Sequence, residues 1–190
     1  MELLEKRIER DGIVLGGNVI KVGNFLNQQL DTPFLVSLGQ EIARLFKDAG
    51  ITKILTIEAS GIAIAMVAAI PLNVPVVFAK KSKSFNQSAD VYSAKITSFT
   101  HGNTYEATVA KEYLNADDKI LIVDDFLATG EAMYGLISIV EQAGATLVGC
   151  SAAVEKGFQG GGDALREKGI RVESLAIIDG MSENGIIFRK

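Results

Sequence analysis

The chain has 190 residues, 48% hydrophobic and 22% charged, as in a globular protein long enough to bury a core; this excludes a disordered tail, a collagen and a disulfide scaffold. A single cysteine, Cys150, and a single histidine, His101, exclude an intrachain disulfide, a cysteine-rich zinc site and a two-histidine metal site. Nineteen basic residues against 23 acidic ones give a net charge of −4, so overall charge points to no nucleic-acid partner.

The charged, amphipathic stretch from Glu2 to Arg10 predicts a first helix, ended by Asp11-Gly12. It lacks the apolar run of an export signal, and apolar stretches such as Ile62 to Leu72 fall far short of the roughly 20 residues that span a bilayer. A cytoplasmic protein with no membrane partner is therefore expected. Short apolar pieces follow at Ile13 to Leu15, Val19 to Val22 and Phe25 to Leu30. Thr32 is the expected N-cap of a second helix, with Pro33 at its first position. Leu35, Leu38, Ile42, Leu45 and Phe46 keep helical spacing there, and Gly50 closes it.

Lys53 to Ile57 reads as a buried strand, and Glu58-Ala59-Ser60-Gly61 as the turn into an apolar helix from Ile62 to Ala69. Val74 to Ala79 is a second strand, followed by Lys80, Lys81 and Lys83 and by polar residues to Asp90. Val91 to Phe99 and Tyr105 to Lys111 alternate around His101-Gly102-Asn103 and predict a hairpin. Lys119 to Val123 is a third strand, Gly130 to Ala143 a helix ended by Gly144, and Leu147 to Val154 a fourth strand. A loop from Glu155 to Gly162, a short helix from Asp163 to Lys168, and strands at Val172 to Ile178 and Gly185 to Phe188 complete the chain. This alternation predicts an α/β fold: a central, mainly parallel sheet flanked by helices, in one domain over 1–190, with an inserted hairpin. Within it, Cys150 is expected to be a buried thiol, and His101 an exposed turn residue.

Ligands of parallel sheets bind beyond the carboxyl ends of the strands. There, Ile120 to Val123 deliver two adjacent acids, Asp124 and Asp125, ahead of Phe126-Leu127-Ala128-Thr129-Gly130-Glu131-Ala132. The free N–H groups of a helix start attract a phosphate, Thr129 adds a hydroxyl donor, and Gly130 permits close approach. The acids would repel that same phosphate, so they suit hydroxyl donors or a divalent cation beside it. Carboxylates next to an anion cradle describe a sugar phosphate. The simpler alternative has both acids capping the turn. No G-x-x-x-x-G-K-[ST] occurs, which excludes a P-loop nucleotide site.

Val123 to Ala132 resembles the phosphoribosyl diphosphate motif of type I phosphoribosyltransferases: apolar strand, two acids, two apolar residues and a small-Thr-Gly turn. Glu58 to Ile62 resembles that family's diphosphate loop, and Lys80 to Asp90 with its hairpin the loop that closes over substrate. Val19 to Val22, Phe25 to Asn27 and Val154 to Gln159 resemble the base-side elements of its xanthine-using purine branch. Ala128 stands where the hypoxanthine-guanine branch has an aspartate, so the general base stays open, with Glu58 and Glu131 as possibilities.

The resemblance implies a small hood over the base, built from about residues 1–30 and the C-terminal part. It implies transfer of the phosphoribosyl group to N9 of xanthine, with Mg²⁺ carried mainly by the substrate diphosphate and ribose, in a homodimer. Asp124 and Asp125 would hold the ribose, and Ala128, Thr129, Gly130, Glu131 and Ala132 the 5-phosphate. Ser60, Gly61 and Lys81 would meet the diphosphate. Ile20, Asn27 and Lys156 would meet xanthine, with Phe158 as a stacking partner. Guanine, hypoxanthine or adenine as acceptor, and a non-catalytic sensor of phosphoribosyl diphosphate, stand as alternatives.

Overall fold

A computed structural model describes residues 1–16, 18–81, 90–97, 104–182 and 185–190. The elements in chain order are α1 (Glu2–Asp11), β1 (Ile13–Leu15), β2 (Val19–Lys21), a π-helical turn (Gly23–Asn27), α2 (Thr32–Leu45), β3 (Lys53–Ile57), α3 (Gly61–Leu72) and β4 (Val76–Ala79). The hairpin β5 (Val91–Thr97) and β6 (Thr104–Ala110) follows. Then come β7 (Lys119–Leu127), α4 (Glu131–Gln142), β8 (Thr146–Lys156), α5 (Gly161–Glu167), β9 (Val172–Ser182) and β10 (Gly185–Phe188).

Six strands form one sheet in the order β10-β9-β8-β7-β3-β4. All neighbours in it run parallel except β10, which is antiparallel to β9. The expected mainly parallel sheet is therefore present, with helices on both faces. Leu121 and Val123 enter the core shared with α1, α2 and α3, whereas Ile120 and Ile122 enter the core shared with α4 and the hairpin. Successive strand side chains point to opposite faces, so a strand covered on both sides must be a continuous apolar run. On α2, Phe34, Leu35, Leu38 and Ile42 recur at helical spacing and are all buried. Burial of each stabilises the fold by roughly 1.5–3 kcal/mol.

Several boundaries differ from the sequence expectation. The α2 N-cap is Asp31, whose carboxylate accepts from the Phe34 amide at 3.3 Å, and Thr32 is already helical. A carboxylate can cap as well as a hydroxyl, and Pro33 is tolerated anywhere in the first turn, where amides lack helical partners. β7 continues through Asp124 and Asp125 to Leu127, and β8 through Glu155 to Lys156. The two ladders stay paired there, Asp124 opposite Ala152 and Leu127 opposite Glu155, so main-chain bonding carries the strands past their apolar runs. Lys156 thus ends β8 instead of lying beyond it, and α5 begins at Gly161, earlier than Asp163.

The hood is built from α1, the β1–β2 hairpin, the π-helical turn and the outer end of the sheet. Leu4, Ile8, Ile20, Phe25 and Leu26 are buried in the same core as Leu175 and Ile178. Arg7 clasps it: its guanidinium lies 5.0 and 5.2 Å from the Phe25 and Phe34 rings and pairs with Asp31 at 2.9 Å. On the other face the hairpin pairs Val91 with Ala110 through Thr97 with Thr104. The turn at His101, the residue Lys83 and most of the Lys80 to Asp90 segment lie outside the described residues. Among the described residues, no helix is long and apolar enough to cross a membrane.

Candidate functional site

The end of β7 and the start of α4 place the two acids and the anion loop side by side. Asp124 and Asp125 are both buried, at 6% and 7% exposure, far from the usual place of a carboxylate. Asp124 Oδ1 accepts from the Asp125 amide at 2.9 Å. Burial, and then the adjacent Asp125 charge, push the Asp124 carboxyl well above the ordinary range, and the Lys81 charge partly opposes this. Asp125 Oδ2 instead accepts from Asn27 Nδ2 at 2.9 Å. One acid therefore stands beside the α3 start and the other beside the hood.

Gly130 sits at φ +90° immediately before α4, a backbone region that a side chain would strain, so the turn needs glycine there. This bend and the start of α4 border a cavity of about 180 Å³. Leu127 to Met133 form one wall, and Ile96, Thr97, Tyr105 and Phe126 complete the lining. Nothing in the residue types of Thr97 and Tyr105 marked them for this cavity. Only strand alternation, which puts Tyr105 on the same face as Ala107 and Val109, points there.

The second expected phosphate turn lies where β3 enters α3. Ser60 is the α3 N-cap and makes no side-chain capping bond, so its hydroxyl is not committed to the helix. Gly61 follows in close contact with Asp124; a Cβ there would stand 2.6 Å from Asp124 Oδ1 and also meet the Thr56 hydroxyl. That hydroxyl is buried with no hydrogen-bond partner among the described residues. Glu58 Oε1 accepts from the Lys81 amide at 2.6 Å, which ties the end of β4 to this turn. Lys81 itself is exposed.

The residues expected on the base side lie in the hood or are bonded to it, with Asn27 bonded to Asp125 and Lys156 to Asn18. Ile20 is buried at 7% exposure, while Ile20 and Asn27 line a wider hollow of the hood with Lys21 and Gln28. Lys156 Nζ donates to the Asn18 carbonyl at 2.8 Å and lies 5.7 Å from the Phe126 ring. Partial burial lowers its ammonium pKa. Phe158 is partly buried against the hood-side core. Asp124, Asp125, Asn27 and Lys156 are thus gathered by the crossing of β7, β8 and the hood. Glu131 is exposed at the first turn of α4, and Glu58 is spent on the Lys81 amide.

As donor set, the site holds two adjacent carboxylates, and no group of three or more acid, cysteine or histidine side chains suited to a metal occurs among the described residues. The oxygen pair fits a hard cation whose other ligands come from phosphate, hydroxyl or water. Chemically, the site offers amides and hydroxyls for phosphate, carboxylates for sugar hydroxyls, and an amide and an ammonium for a polar ring.

Comparison with known proteins agrees with this geometry. Residues 36–178 match a family model described as a phosphoribosyl transferase domain. Xanthine phosphoribosyltransferase of Ruminiclostridium cellulolyticum is 56% identical over 185 residues, covering 97% of each chain. That of Lachnoclostridium phytofermentans is 53% identical over 191 residues, covering 100% of this chain and 98% of its own. Among solved structures, adenine phosphoribosyltransferase from Trypanosoma brucei, in complex with AMP, pyrophosphate and ribose-5-phosphate, shares the fold with a TM-score of 0.77. It does so over 96% of this chain and 83% of its own, at 21% identity. The Giardia lamblia enzyme complexed with 9-deazaadenine gives 0.73 over 86% and 87%, at 24% identity.

Proposed function

The chain belongs to the phosphoribosyltransferase family, and from that premise we propose that it transfers the 5-phosphoribosyl group of 5-phospho-α-D-ribose 1-diphosphate to N9 of xanthine. Xanthosine monophosphate and diphosphate are the products. The observation that carries this reading is the join at Asp125: one carboxylate stands at the strand end before the phosphate loop and is hydrogen-bonded to Asn27 of the hood. Ribose and base must meet at C1, and this pair brings the ribose side and the base side within 2.9 Å of each other.

In the reaction, the N9 lone pair forms the bond to C1 as the C1–O bond breaks, and the diphosphate leaves with that electron pair. The proton of the attacking purine passes to solvent or to a base that no residue is assigned to be. Positive charge develops on the ribose, as in other glycosyl transfers. Asp124 and Asp125 hold the ribose hydroxyls, and the Asp125 carboxylate supplies negative charge where the cationic sugar forms, inside a buried setting that strengthens the effect. The amides and hydroxyl of Ala128 to Ala132 hold the 5-phosphate. Ser60, Gly61 and Lys81 receive the diphosphate. Mg²⁺, carried mainly by the substrate diphosphate and ribose oxygens with Asp124 and Asp125 beside it, would offset leaving-group charge.

Xanthine offers a second carbonyl oxygen where guanine has an amino group. The Lys156 ammonium donates and cannot accept, so it favours the oxygen. The Asn27 amide both donates and accepts, and Ile20 supplies an apolar wall, with Phe158 as a stacking partner. One domain over 1–190, a homodimer and cytoplasmic residence belong to the same reading. Diphosphate release measured with xanthine, guanine, hypoxanthine and adenine tests it. Xanthine should give the highest kcat/KM; a higher value for another purine would replace the acceptor. Binding of phosphoribosyl diphosphate with no turnover on any base would make the protein a sensor.

A further inference from the structure

Tyr105 lies on β6, on the strand face that also carries Ala107 and Val109, both buried in the core shared with α4. β6 is bonded to the end of β4. Lys80 and Thr108 exchange N–H···O bonds of 2.9 Å in each direction, as an antiparallel bridge. The bridge delivers the next residue, Lys81, to the same edge. The Lys81 amide is already tied to Glu58 of the β3–α3 turn. Its ammonium lies 5.2 Å from the centre of the Tyr105 ring. The ring in turn lines the cavity of Ala128 to Ala132. Burial, and then the Asp124 charge, raise the Tyr105 phenol, and the Lys81 charge partly opposes the rise at Asp124.

A lysine head on a four-carbon stem samples many rotamers, and ordering it costs entropy. An aromatic face within about 6 Å attracts the ammonium and narrows that search. We infer that Tyr105 is a positioning residue that holds the Lys81 ammonium at the mouth of the phosphoribosyl cavity, between the β3–α3 turn and the β7–α4 turn. The inference rests on the proposed reading of Lys81 as the charge that meets the diphosphate. It assigns the work to the ring face, so phenylalanine should replace tyrosine and an aliphatic side chain should not.

The test is a steady-state series on the full chain with phosphoribosyl diphosphate varied. Tyr105→Leu should lower kcat/KM for phosphoribosyl diphosphate by about three- to thirtyfold and leave the KM for xanthine unchanged. Tyr105→Phe should stay within about twofold of the parent. Lys81→Gln should lower the same parameter, and Tyr105→Leu should add nothing in that background, since a pair acting as a unit is not additive. Tyr105→Met supplies a second ring-less variant if the leucine variant melts early. Calorimetric titration of the same proteins with phosphoribosyl diphosphate reads the cycle without turnover, so a wrong acceptor purine leaves this test intact. An unimpaired Tyr105→Leu, a Tyr105→Phe as impaired as Tyr105→Leu, or an undiminished leucine effect in the Lys81→Gln background would each overturn the inference. Lys81→Gln with no effect of its own would overturn the reading of Lys81 beneath it.

Discussion

Individual side chains carry separable jobs because each is held by a different contact. Asp125 keeps one oxygen on Asn27, and the proposed reading gives the rest of its carboxylate to the ribose. Asp125→Asn preserves shape and an acceptor for Asn27 while removing the charge. Turnover should fall by roughly 10²-fold or more, as for other lost electrostatic stabilisers, with the thermal midpoint unchanged. Near-parental turnover in a folded variant would make Asp125 a cap. Lys156 donates to the hood at Asn18, so its ammonium is already aimed at the gap between hood and sheet. Lys156→Ala should raise the KM for xanthine by roughly tenfold to a hundredfold, the scale of a lost charge-assisted bond, and narrow the preference over guanine. Loss of phosphoribosyl diphosphate binding with purine preference intact would move Lys156 to the phosphate side. Cys150, an apolar β8 position as expected, has no part in the site, and burial pushes its thiol up to about 12 from 9.0. Between those values the folded chain keeps a proton that the unfolded chain releases, so this residue lowers stability as pH rises. The contribution is about 1.4 kcal/mol per unit. Denaturant titrations at pH 8 and 10 should therefore show a smaller alkaline loss for Cys150→Ala than for the parent; equal losses would mean that the thiol ionises in place.

Elements show which parts of this architecture a sequence can express. Strands β3, β7 and β8 are legible because a two-sided burial demands unbroken apolar runs. The bounds of β3 match the sequence reading, but the ends of β7 and β8 are not legible, since the ladders continue through Asp124, Asp125, Glu155 and Lys156 on main-chain bonds that side-chain polarity hides. The anion loop is legible from its Thr-Gly turn, but the Asn27 to Asp125 contact, between residues 98 positions apart, is a product of folding alone. Glu155 shows the same limit. It looks like a loop acid, yet it is fully buried, and Arg166 of α5 holds both its oxygens at 2.8 and 2.7 Å while Ser174 adds a third bond. The Gly161 amide at the start of α5 donates to the Ala128 carbonyl at 3.1 Å, so this ion pair also steadies the back of the β7–α4 turn proposed to hold phosphate. Arg166→Ala should cost about 3–5 kcal/mol, because it strands a buried charge. Glu155→Gln combined with Arg166→Met should recover most of that loss. A cost below about 1 kcal/mol would place the pair among solvent-screened ones.

Across the whole molecule, hood and sheet meet through polar links that include Asn27 to Asp125, Lys156 to Asn18 and the Met1 ammonium to the Leu175 carbonyl, beside an apolar core. A ligand that engages the strand ends therefore acts on both layers, and binding to the folded state raises its stability by mass action. The proposed metal requirement is read from the same arrangement. Two carboxylates are available, one of them driven toward its neutral form by burial and by the other's charge. Magnesium gives up its water shell reluctantly and needs further oxygen ligands, which phosphoribosyl diphosphate carries. Mg²⁺ alone should then leave the melting temperature within about a degree of the metal-free protein. Phosphoribosyl diphosphate with Mg²⁺, at about a hundred times its dissociation constant, should stabilise by about 2.7 kcal/mol. For a chain of this length that corresponds to a rise of about 5–11 °C, and chelation of the metal should remove most of it. The joint shift should exceed the sum of the two separate ones, because substrate and metal complete one coordination shell. A comparable rise with Mg²⁺ alone would mean that the protein holds the metal by itself, and the substrate-carried metal would have to be abandoned.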